Sequence, residues 1–235
     1  MKILAIGPMY NEGERAVEVV RKFPRGSVDE ILVVDDASTD GAAAKVAQAG
    51  ATVLSLKERS GCGGAIRAGI DYGLKKGYDV FIIFAVNGKD NPQDVSKLLR
   101  PIQEEGMDFV QGSRYLRGGE WANMPLHRLW GTRAYSALFS IFLGKKITDG
   151  TNGFRAFRSR LLEDSRVNIH QEWLDGYSVE TYLFAQAIRL GYHVAEAPVA
   201  KIYPPSKNGY SKMKPWSGWW NHFKPVPLLT LGIKK

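Results

Sequence analysis

The chain has 235 residues, of which 44% are apolar and 24% are charged. These values are ordinary for a folded protein, so we exclude a largely disordered chain and expect one large α/β domain or two small ones. The formal net charge of +8 favours anionic partners, such as nucleotide or lipid phosphates, an acidic membrane surface or nucleic acid. The single cysteine, Cys62, excludes an intramolecular disulfide and a multi-cysteine metal site, and it favours a packing role over a nucleophilic one.

The beginning of the chain and its apolar runs bear on its location. Met1-Lys2 leads directly into a predicted strand, which is not the pattern of a signal peptide. The longest apolar run, 137–143, is interrupted by Ser140 and falls short of the roughly 20 residues that a membrane-spanning helix needs. We therefore expect a cytoplasmic protein that is soluble or, at most, associated with the cytoplasmic face of a membrane.

Strands and helices alternate over the first 112 residues. The segment 80–84 is continuously apolar, which is typical of a central strand of a parallel sheet. A series of strands joined by helices predicts right-handed β-α-β units, and so an α/β fold with a mostly parallel, Rossmann-like sheet flanked by helices. The predicted strands cover 2–7, 30–35, 51–56, 80–84 and 108–112, and the predicted helices cover 11–23, 42–49, 65–76 and 93–105.

This alternation changes after residue 112. Residues 203–235 are basic and aromatic and contain five prolines, which predicts an irregular tail or a flexible flap. The segment before it predicts a loop at 113–130, a helix at 128–143, a loop at 148–153, a strand at 154–157, a helix at 176–190 and a strand at 193–202.

Polar residues follow two of the predicted strands. Asp35 and Asp36 come directly after an apolar strand, and Tyr10-Asn11-Glu12 follow the first strand. Ligands of open α/β sheets bind at the carboxyl ends of the strands, where a carboxylate can receive a sugar hydroxyl, a base N–H or a metal ion. The pattern favours a nucleotide pocket, and the alternative is that the two acids only cap a helix or form a turn.

Six short segments occur in order along the chain: Tyr10-Asn11-Glu12, 34–41, 61–65, 112–115, 149–155 and Val179-Glu180. The first three resemble the nucleotide-sugar half of family 2 glycosyltransferases, which have the GT-A fold. The last three resemble the polyprenyl-phosphate sugar transferases, such as dolichyl-phosphate mannose synthase. The resemblance implies one GT-A domain at 1–202, with a nucleotide-sugar half at 1–112 and an acceptor half at 113–202.

The resemblance also implies roles for residues at the sheet edge on the nucleotide side. The glycines at 61–64 would form a loop beside the phosphates or only a tight turn, since a Gly-rich loop alone is weak evidence of phosphate binding. Contacts to the base and ribose are implied for Pro8, Tyr10 and Glu12, a contact to the base or ribose for Asp36, and an approach to the nucleotide for Arg67.

On the acceptor side the resemblance implies three catalytic candidates. Arg114 would contact a phosphate of the acceptor or of the leaving group. Asp149 would take a proton from an acceptor hydroxyl or support an acceptor-phosphate site, since a phosphate acceptor is already an anion and needs little base assistance. Glu180 would face the sugar or support a metal ion, and Asp175 is a further candidate acid. Arg128 and Arg133 would hold the acceptor phosphate or be solvated charges on a helix.

One departure from the family pattern concerns the metal ion. Family members end the fourth strand with Asp-x-Asp, which binds Mg²⁺ or Mn²⁺ across the diphosphate, whereas this chain has Ala85 and Asn87 there. Asn supplies a neutral oxygen that is a weaker ligand for a hard cation, and Ala supplies none. Three interpretations remain: a metal bound through Asn87 and Asp90, a metal-free site in which Lys89 and arginines neutralise the diphosphate, or a catalytically inactive chain.

The resemblance therefore implies an inverting glycosyltransferase that uses a UDP- or GDP-sugar as donor and a polyprenyl phosphate or a cell-surface glycan as acceptor. The alternatives are a catalytically degenerate nucleotide-sugar-binding partner protein and a sugar-phosphate nucleotidyltransferase. We expect no nucleic-acid partner, because the sequence contains no recognisable nucleic-acid motif. Lysines and tryptophans in the tail predict a flap over the diphosphate or a contact with a membrane surface, and the alternative is packing against the core.

Overall fold

A computed structural model describes residues 1–174, 176–203 and 215–234. Residues 204–214 of the predicted tail, which include Lys207, Lys212 and Lys214, lie outside this part of the chain, as does the candidate acid Asp175. Nine strands are present in the described part: β1 Ile3–Met9, β2 Glu30–Asp35, β3 Thr52–Ser55, β4 Val80–Ile83, β5 Phe109–Ser113, β6 Glu120–Ala122, β7 Arg155–Arg158, β8 Val194–Pro198 and β9 Ala200–Ile202.

Helices connect and cover these strands. A short 3₁₀ turn, Pro92–Asp94, precedes the fourth helix. The α-helices are α1 Glu14–Arg21, α2 Ala42–Gln48, α3 Gly61–Lys75, α4 Val95–Glu104, α5 Leu126–Leu143, α6 Arg160–Glu163, α7 Ser178–Arg189, α8 Pro215–Phe223 and α9 Pro225–Thr230. Among these described helices, none is both long and apolar enough to cross a membrane.

Seven strands form the central sheet in the order β3-β2-β1-β4-β7-β5-β8. All neighbouring pairs are parallel except the two made by β7, which is antiparallel to β4 and to β5. The prediction of a mostly parallel α/β sheet flanked by helices is therefore confirmed. A second, two-stranded sheet pairs β6 with β9.

The core lies on both faces of this sheet, because successive residues of a strand point to opposite sides. In β1, Leu4 and Ile6 join the apolar cluster under α3, α5 and α7, whereas Ile3 and Ala5 join the cluster under α1, α2 and α4. Helix α9 closes the first cluster with Val226 and Leu229. The central strands are thus covered on both faces, which explains their continuously apolar sequences.

The structure corrects several predicted boundaries. Helix α3 begins at Gly61 and not at residue 65, so the glycines at 61–64 form its first turn instead of a loop. The loop predicted at 113–130 contains β6, and the strand predicted at 193–202 is two strands that belong to different sheets. The irregular structure predicted for the tail is wrong over 215–230, which forms α8 and α9 against α7 and α5.

Candidate active site

The direction of chain winding reverses between β1 and β4, since β2 and β3 lie on one side of β1 and the later strands on the other. In open α/β sheets, ligands bind in the crevice that forms at this point, outside the carboxyl ends of the strands. The loops after β1, β2 and β4 meet there, and they carry five of the seven residues predicted to bind the nucleotide: Tyr10, Glu12, Asp36, Asn87 and Lys89.

The loops after β1 and β2 are held together by side chains of each. The backbone N–H of Asn11 donates to Ser38 Oγ at 3.0 Å, and Asn11 Oδ1 accepts from the backbone N–H of Thr39 at 2.8 Å. Asn11 and Ala37 have φ of 48° and 57°, in the left-handed region that an alanine rarely enters. Such strain persists where surrounding contacts impose it, and it clusters at ligand-binding sites.

Asp36 is buried at the end of β2, with 3% of its surface exposed. Its Oδ1 accepts from the backbone N–H and the hydroxyl of Ser60 at 2.6 and 3.0 Å, and its Oδ2 accepts from the N–H of Gly61 at 2.9 Å. These N–H groups begin α3, so Asp36 caps that helix from another loop. The cap accounts for the early start of α3, and contact of Asp36 with a base or ribose stays a prediction.

The residues predicted for the base and ribose lie around the end of β1. Pro8 is half-buried opposite Val34 of β2. The Tyr10 ring stacks with the guanidinium of Arg59, whose Cζ lies 3.9 Å from the ring centroid. Arg59 was not predicted from the sequence, because it lies in an unremarkable charged stretch before α3. Binding of the nucleotide by Pro8, Tyr10 and Glu12 stays a prediction.

Helix α3 packs closely against the loop that precedes α7. A Cβ on Gly63 would collide with the carbonyl oxygen of Gly176, so glycine permits this approach. Arg67 ties the same two elements together, because its Nη1 donates to the Leu174 carbonyl at 2.6 Å. The half-buried Cys62 lies in this contact, and burial raises the pKa of its thiol, which favours packing over nucleophilic chemistry.

The loop after β4 carries the departure from the Asp-x-Asp pattern. Asp90 is buried, its Oδ2 accepts from the backbone N–H of Ala85 at 2.8 Å, and its Oδ1 is 2.5 Å from the Lys201 ammonium. Asn87 Oδ1 accepts from the backbone N–H of Lys89 at 3.3 Å. Both predicted metal ligands, Asn87 and Asp90, thus make contacts that hold their own loop.

Lys89 stands beside two other cations at this point. Burial, together with Lys201 and Arg128, lowers the pKa of the Lys89 ammonium to about 8. Its Nζ lies 5.0 Å from the centroid of the Tyr203 ring, and the Cζ of Arg128 lies 5.8 Å from the same centroid. We refer to Lys89, Arg128 and Lys201 as the cationic cluster.

Two carboxylates, Glu12 and Asp90, partly offset the positive charge of the cationic cluster. Glu12, from the loop after β1, and Asp90 both raise the pKa of Lys89, against the larger effects of burial and of the neighbouring cations. The loops after β1 and β4 therefore face each other across the crevice, as the strand order requires.

Arg114 and Asp149, both predicted to be catalytic, are paired with each other. Asp149 is fully buried, and its Oδ2 lies 2.6 Å from Arg114 Nε while its Oδ1 accepts from Arg114 Nη2 at 3.3 Å. The backbone and hydroxyl of Thr151 also donate to Oδ1. The Asp149 carboxylate is therefore the anchor of its loop in this state, and a catalytic role for either residue stays a prediction.

Glu180 lies at the start of α7, beside a buried arginine. The guanidinium of Arg155 is 3.8 Å from its carboxylate and donates to the carbonyls of Glu180 and Asn152. Burial raises the pKa of Glu180. A Cβ on Gly153 would lie 2.8 Å from Glu180 Oε1, so glycine leaves room for the carboxylate. The role of Glu180 in catalysis stays a prediction.

A comparison with protein families identifies the fold and the chemistry. Residues 5–166 match the family described as glycosyl transferase family 2, which is more than half of the chain. The chain belongs to this family. The resemblance noted from the sequence motifs is thereby confirmed, and the protein is a glycosyltransferase.

Two relatives place this glycosyltransferase more closely. It is 32% identical over 219 residues to the polyprenol monophosphomannose synthase of Mycolicibacterium smegmatis, an alignment that covers 90% of this chain and 81% of the relative. It is 34% identical over 209 residues to the undecaprenyl-phosphate mannosyltransferase of Micrococcus luteus, which covers 86% and 84%.

Solved structures confirm the GT-A fold of this glycosyltransferase. Glucosyl-3-phosphoglycerate synthase of Mycobacterium tuberculosis, in complex with Mn²⁺, UDP and glucosyl-3-phosphoglycerate, superimposes with a TM-score of 0.70. The match covers all of this chain and 81% of the synthase, at 20% sequence identity.

The donor set of the transferase does not fit the divalent cation that this neighbour binds. Ala85 offers no ligand atom, Asn87 offers a neutral oxygen, and Asp90 is engaged by Lys201. Over the described ranges, no three side chains of His, Cys, Asp or Glu come together as a metal site would require. A hard cation prefers several carboxylate oxygens, which this loop does not supply.

Besides Arg59, two further residues of the transferase site, Lys201 and Arg155, were not predicted from the sequence. Lys201 lies about 110 residues from the loop after β4 and reaches it only because β9 forms a bridge with that loop at Asp90. Arg155 belongs to a motif that carried the resemblance, yet its burial beside Glu180 follows from the antiparallel insertion of β7. The sequence contained one signal for Lys201, which is the position of a lysine within an apolar strand, Val-Ala-Lys-Ile.

Proposed function

We propose that this glycosyltransferase moves a sugar from a nucleoside diphosphate sugar to a polyprenyl phosphate, with inversion at the anomeric carbon. The observation that carries the proposal is the cationic cluster beside the loop after β4, where Lys89 and Arg128 approach the same Tyr203 ring and Lys201 bridges to Asp90. This loop lies in the crevice where the strand order reverses. Both the donor diphosphate and a phosphate acceptor are anions that such a cluster attracts. The names of the two relatives supply the acceptor class.

In the proposed reaction, an oxygen of the acceptor phosphate attacks the anomeric carbon from the face opposite the diphosphate. The bond from that carbon to the diphosphate oxygen breaks, and its electron pair leaves with the nucleoside diphosphate. The phosphate oxygen is already anionic, so no base is needed to remove a proton. The enzyme contributes positioning and stabilisation of the charge that develops on the leaving group.

The buried state of Asp149 favours a phosphate acceptor over a glycan hydroxyl. A general base must come within hydrogen-bond reach of the proton that it removes. Asp149 is enclosed by Arg114 and Thr151, so its oxygens are directed into the protein. We assign to Asp149 the positioning of Arg114 and of the 148–151 loop, and to Glu180 a contact with the sugar.

A membrane-surface contact through α5 would bring the enzyme to a lipid acceptor. The outer face of α5 exposes Trp130 by 68% and Ile141 by 75%, and Leu126 and Leu138 lie on the same face. This face is about 22 Å long and ends beside the exposed Lys145 and Lys146. An apolar stripe with basic residues is typical of a helix that lies on an anionic bilayer.

The proposal is tested by transfer assays with purified protein. UDP-, GDP- and dTDP-sugars are each combined with a polyprenyl phosphate in detergent or with a glycan acceptor, and the products are separated by chromatography. We expect a lipid-linked sugar from at least one donor, with an NMR coupling constant that shows inversion. If sugar is transferred only to the glycan, the proposed polyprenyl-phosphate acceptor is wrong. If the protein binds a nucleotide sugar but neither transfers nor hydrolyses it, the result favours a catalytically degenerate partner protein.

A further inference from the structure

The segment from Ala85 to Asp90 is the part of the site that departs furthest from the family pattern. It follows β4 and enters the crevice beside the loop after β1. A divalent cation there would need ligands from Asn87 and Asp90, because Ala85 has none to give. The contacts of these two residues therefore determine whether the loop can hold a metal ion.

Asp90 is committed to the architecture of the loop. Its side chain is 1% exposed and pairs with the Lys201 ammonium, which is itself only 10% exposed. Asp90 and Lys201 also form a backbone bridge, and the N–H of Ile202 donates to the Lys89 carbonyl at 2.9 Å. To ligate a metal, Asp90 would have to leave a buried ammonium without its partner, which is strongly unfavourable.

The same clamp presents positive charge to the crevice. It fixes the backbone of Lys89 against β9, and it brings Lys201 close enough to lower the pKa of the Lys89 ammonium. Arg128, at the start of α5, contributes a third cation from the acceptor half. Counted together, the three cations of the cluster and the carboxylates of Glu12 and Asp90 carry a net formal charge of +1.

We propose that this enzyme binds the diphosphate of its donor without a divalent cation, and that Lys89 and Arg128 supply the positive charge in its place. This inference rests on the proposed function, because it concerns the donor of that reaction. Charge-assisted hydrogen bonds from an ammonium and a guanidinium neutralise phosphate oxygens directly. Lys201 acts through Asp90 as a positioning residue.

The role fits the bond that breaks. When the bond between the anomeric carbon and the diphosphate oxygen breaks, the electron pair stays on the diphosphate and adds negative charge to it. Fixed cations stabilise this charge in the transition state without having to reorganise. The step requires no proton transfer and no additional reactant.

The first test is calorimetric binding of UDP and GDP to the wild-type protein, in EDTA and then in Mn²⁺. We expect at least one of the two to bind in EDTA with an affinity within about threefold of that in Mn²⁺. Binding that requires Mn²⁺ would overturn the inference and leave the proposed function standing. Failure of all nucleoside diphosphates and nucleotide sugars to bind under either condition would overturn the proposed function and the inference with it.

Variants of Lys89 and Arg128 test whether these two residues supply the positive charge that binds the diphosphate. We expect Lys89→Met and Arg128→Met each to weaken diphosphate binding by about tenfold or more in EDTA, with little effect on the nucleoside alone. Lys75→Met, at the exposed end of α3, is the matched control and should bind as the wild type does. Equal losses for nucleoside and diphosphate would contradict a charge role, and circular-dichroism melting confirms that each variant is folded.

The double variant Ala85→Asp/Asn87→Asp restores the acid pair of the family pattern. For this variant we expect diphosphate binding to depend on Mn²⁺. Two carboxylates beside the diphosphate should repel it, so binding in EDTA should weaken, and Mn²⁺ should restore it. If the restored acids leave binding in EDTA unchanged, the diphosphate does not lie at this loop and the inference fails. The wild-type measurement in EDTA stands independently of whether this variant folds.

Discussion

The loops after β2 and β4 lie at the same sheet edge, yet they use their carboxylates differently. After β2, Asp36 is retained and accepts from three donors at the start of α3. After β4, the acid pair is replaced, and the remaining Asp90 is neutralised by Lys201. In both loops, the partner of a carboxylate, and not its presence in a motif, decides whether it is available to a ligand.

Among the variants considered, removal of the Lys201 ammonium should reduce the free energy of unfolding most. Lys201→Met leaves Asp90 buried without its cation, which we expect to cost about 3–5 kcal/mol of unfolding free energy. Urea denaturation followed by circular dichroism measures the loss. The double variant Asp90→Asn/Lys201→Met should recover most of it, because the introduced amide would still accept from the N–H of Ala85 and would need no cation.

The exposed ion pair of Lys45 with Glu14 is the matched control for that experiment. Lys45→Met should leave the denaturation midpoint unchanged, because solvated pairs contribute little. A Lys201→Met variant that is as stable as this control would show that the clamp between β9 and the loop after β4 is dispensable.

A buried histidine of helix α8, His222, provides a test of stability that depends on pH. Burial lowers the pKa of His222 to about 4, from the usual 6.5, and the ring stacks on Tyr135. Between pH 6.5 and 4 the unfolded chain binds a proton that the folded chain does not, so stability falls as the pH falls. From pH 7 to pH 5 we expect His222 to account for about 2 kcal/mol of that loss.

The contribution of His222 is measured as the difference between the wild type and His222→Gln. Denaturation midpoints are followed from pH 7 to pH 4, and the wild type should lose stability more steeply than the variant. Parallel curves would show that the histidine is not buried in its neutral form.

Removing the carboxylate of Asp36 should have a smaller effect on stability. Asp36→Ala deprives Ser60 and Gly61 of their acceptor at the start of α3, for which we expect a loss of about 1–2 kcal/mol. Urea denaturation measures the stability lost with the helix cap. Calorimetry with uridine and guanosine on the folded variant measures whether Asp36 contributes to nucleoside affinity. Unchanged nucleoside affinity would restrict Asp36 to its capping role.

The outer face of α5 should show the smallest effect on stability. We expect Trp130→Ser and Ile141→Ser to change the unfolding free energy by no more than about 0.5 kcal/mol, because both side chains are exposed. Sedimentation with vesicles that contain anionic lipid should show weaker binding for both variants. Leu74→Ser, at an exposed apolar position of α3, is the matched control and should bind the vesicles as the wild type does. Unchanged sedimentation of both α5 variants would contradict the membrane contact.

Local patterns predicted most of the nucleotide half. The apolar strands at 30–35 and 80–84 are recognisable because both faces of the sheet are covered, and the order of the motifs was enough to predict the GT-A fold. The start of α3 was missed because its cap, Asp36, comes from a loop 24 residues before Ser60. Contacts between distant segments leave no periodic signal in the sequence.

The site was predicted less completely than the fold for the same reason. The sequence showed that Ala85 and Asn87 replace the acid pair and that Lys89 stands beside them. It could not show that Asp90 is paired, since the partner, Lys201, arrives through β9 from the other end of the domain. The pairing of Arg114 with Asp149 likewise depends on two loops that only the folded chain brings together.

The central claim is that fixed cations take the place of a metal ion in sugar transfer to a phosphate acceptor. Its most direct test is the rate of formation of the lipid-linked sugar by wild-type enzyme in a single turnover, with EDTA and with Mn²⁺. We predict rates that agree within about threefold, since Lys89 and Arg128 are already in place. Formation of product with Mn²⁺ and none with EDTA would contradict the claim.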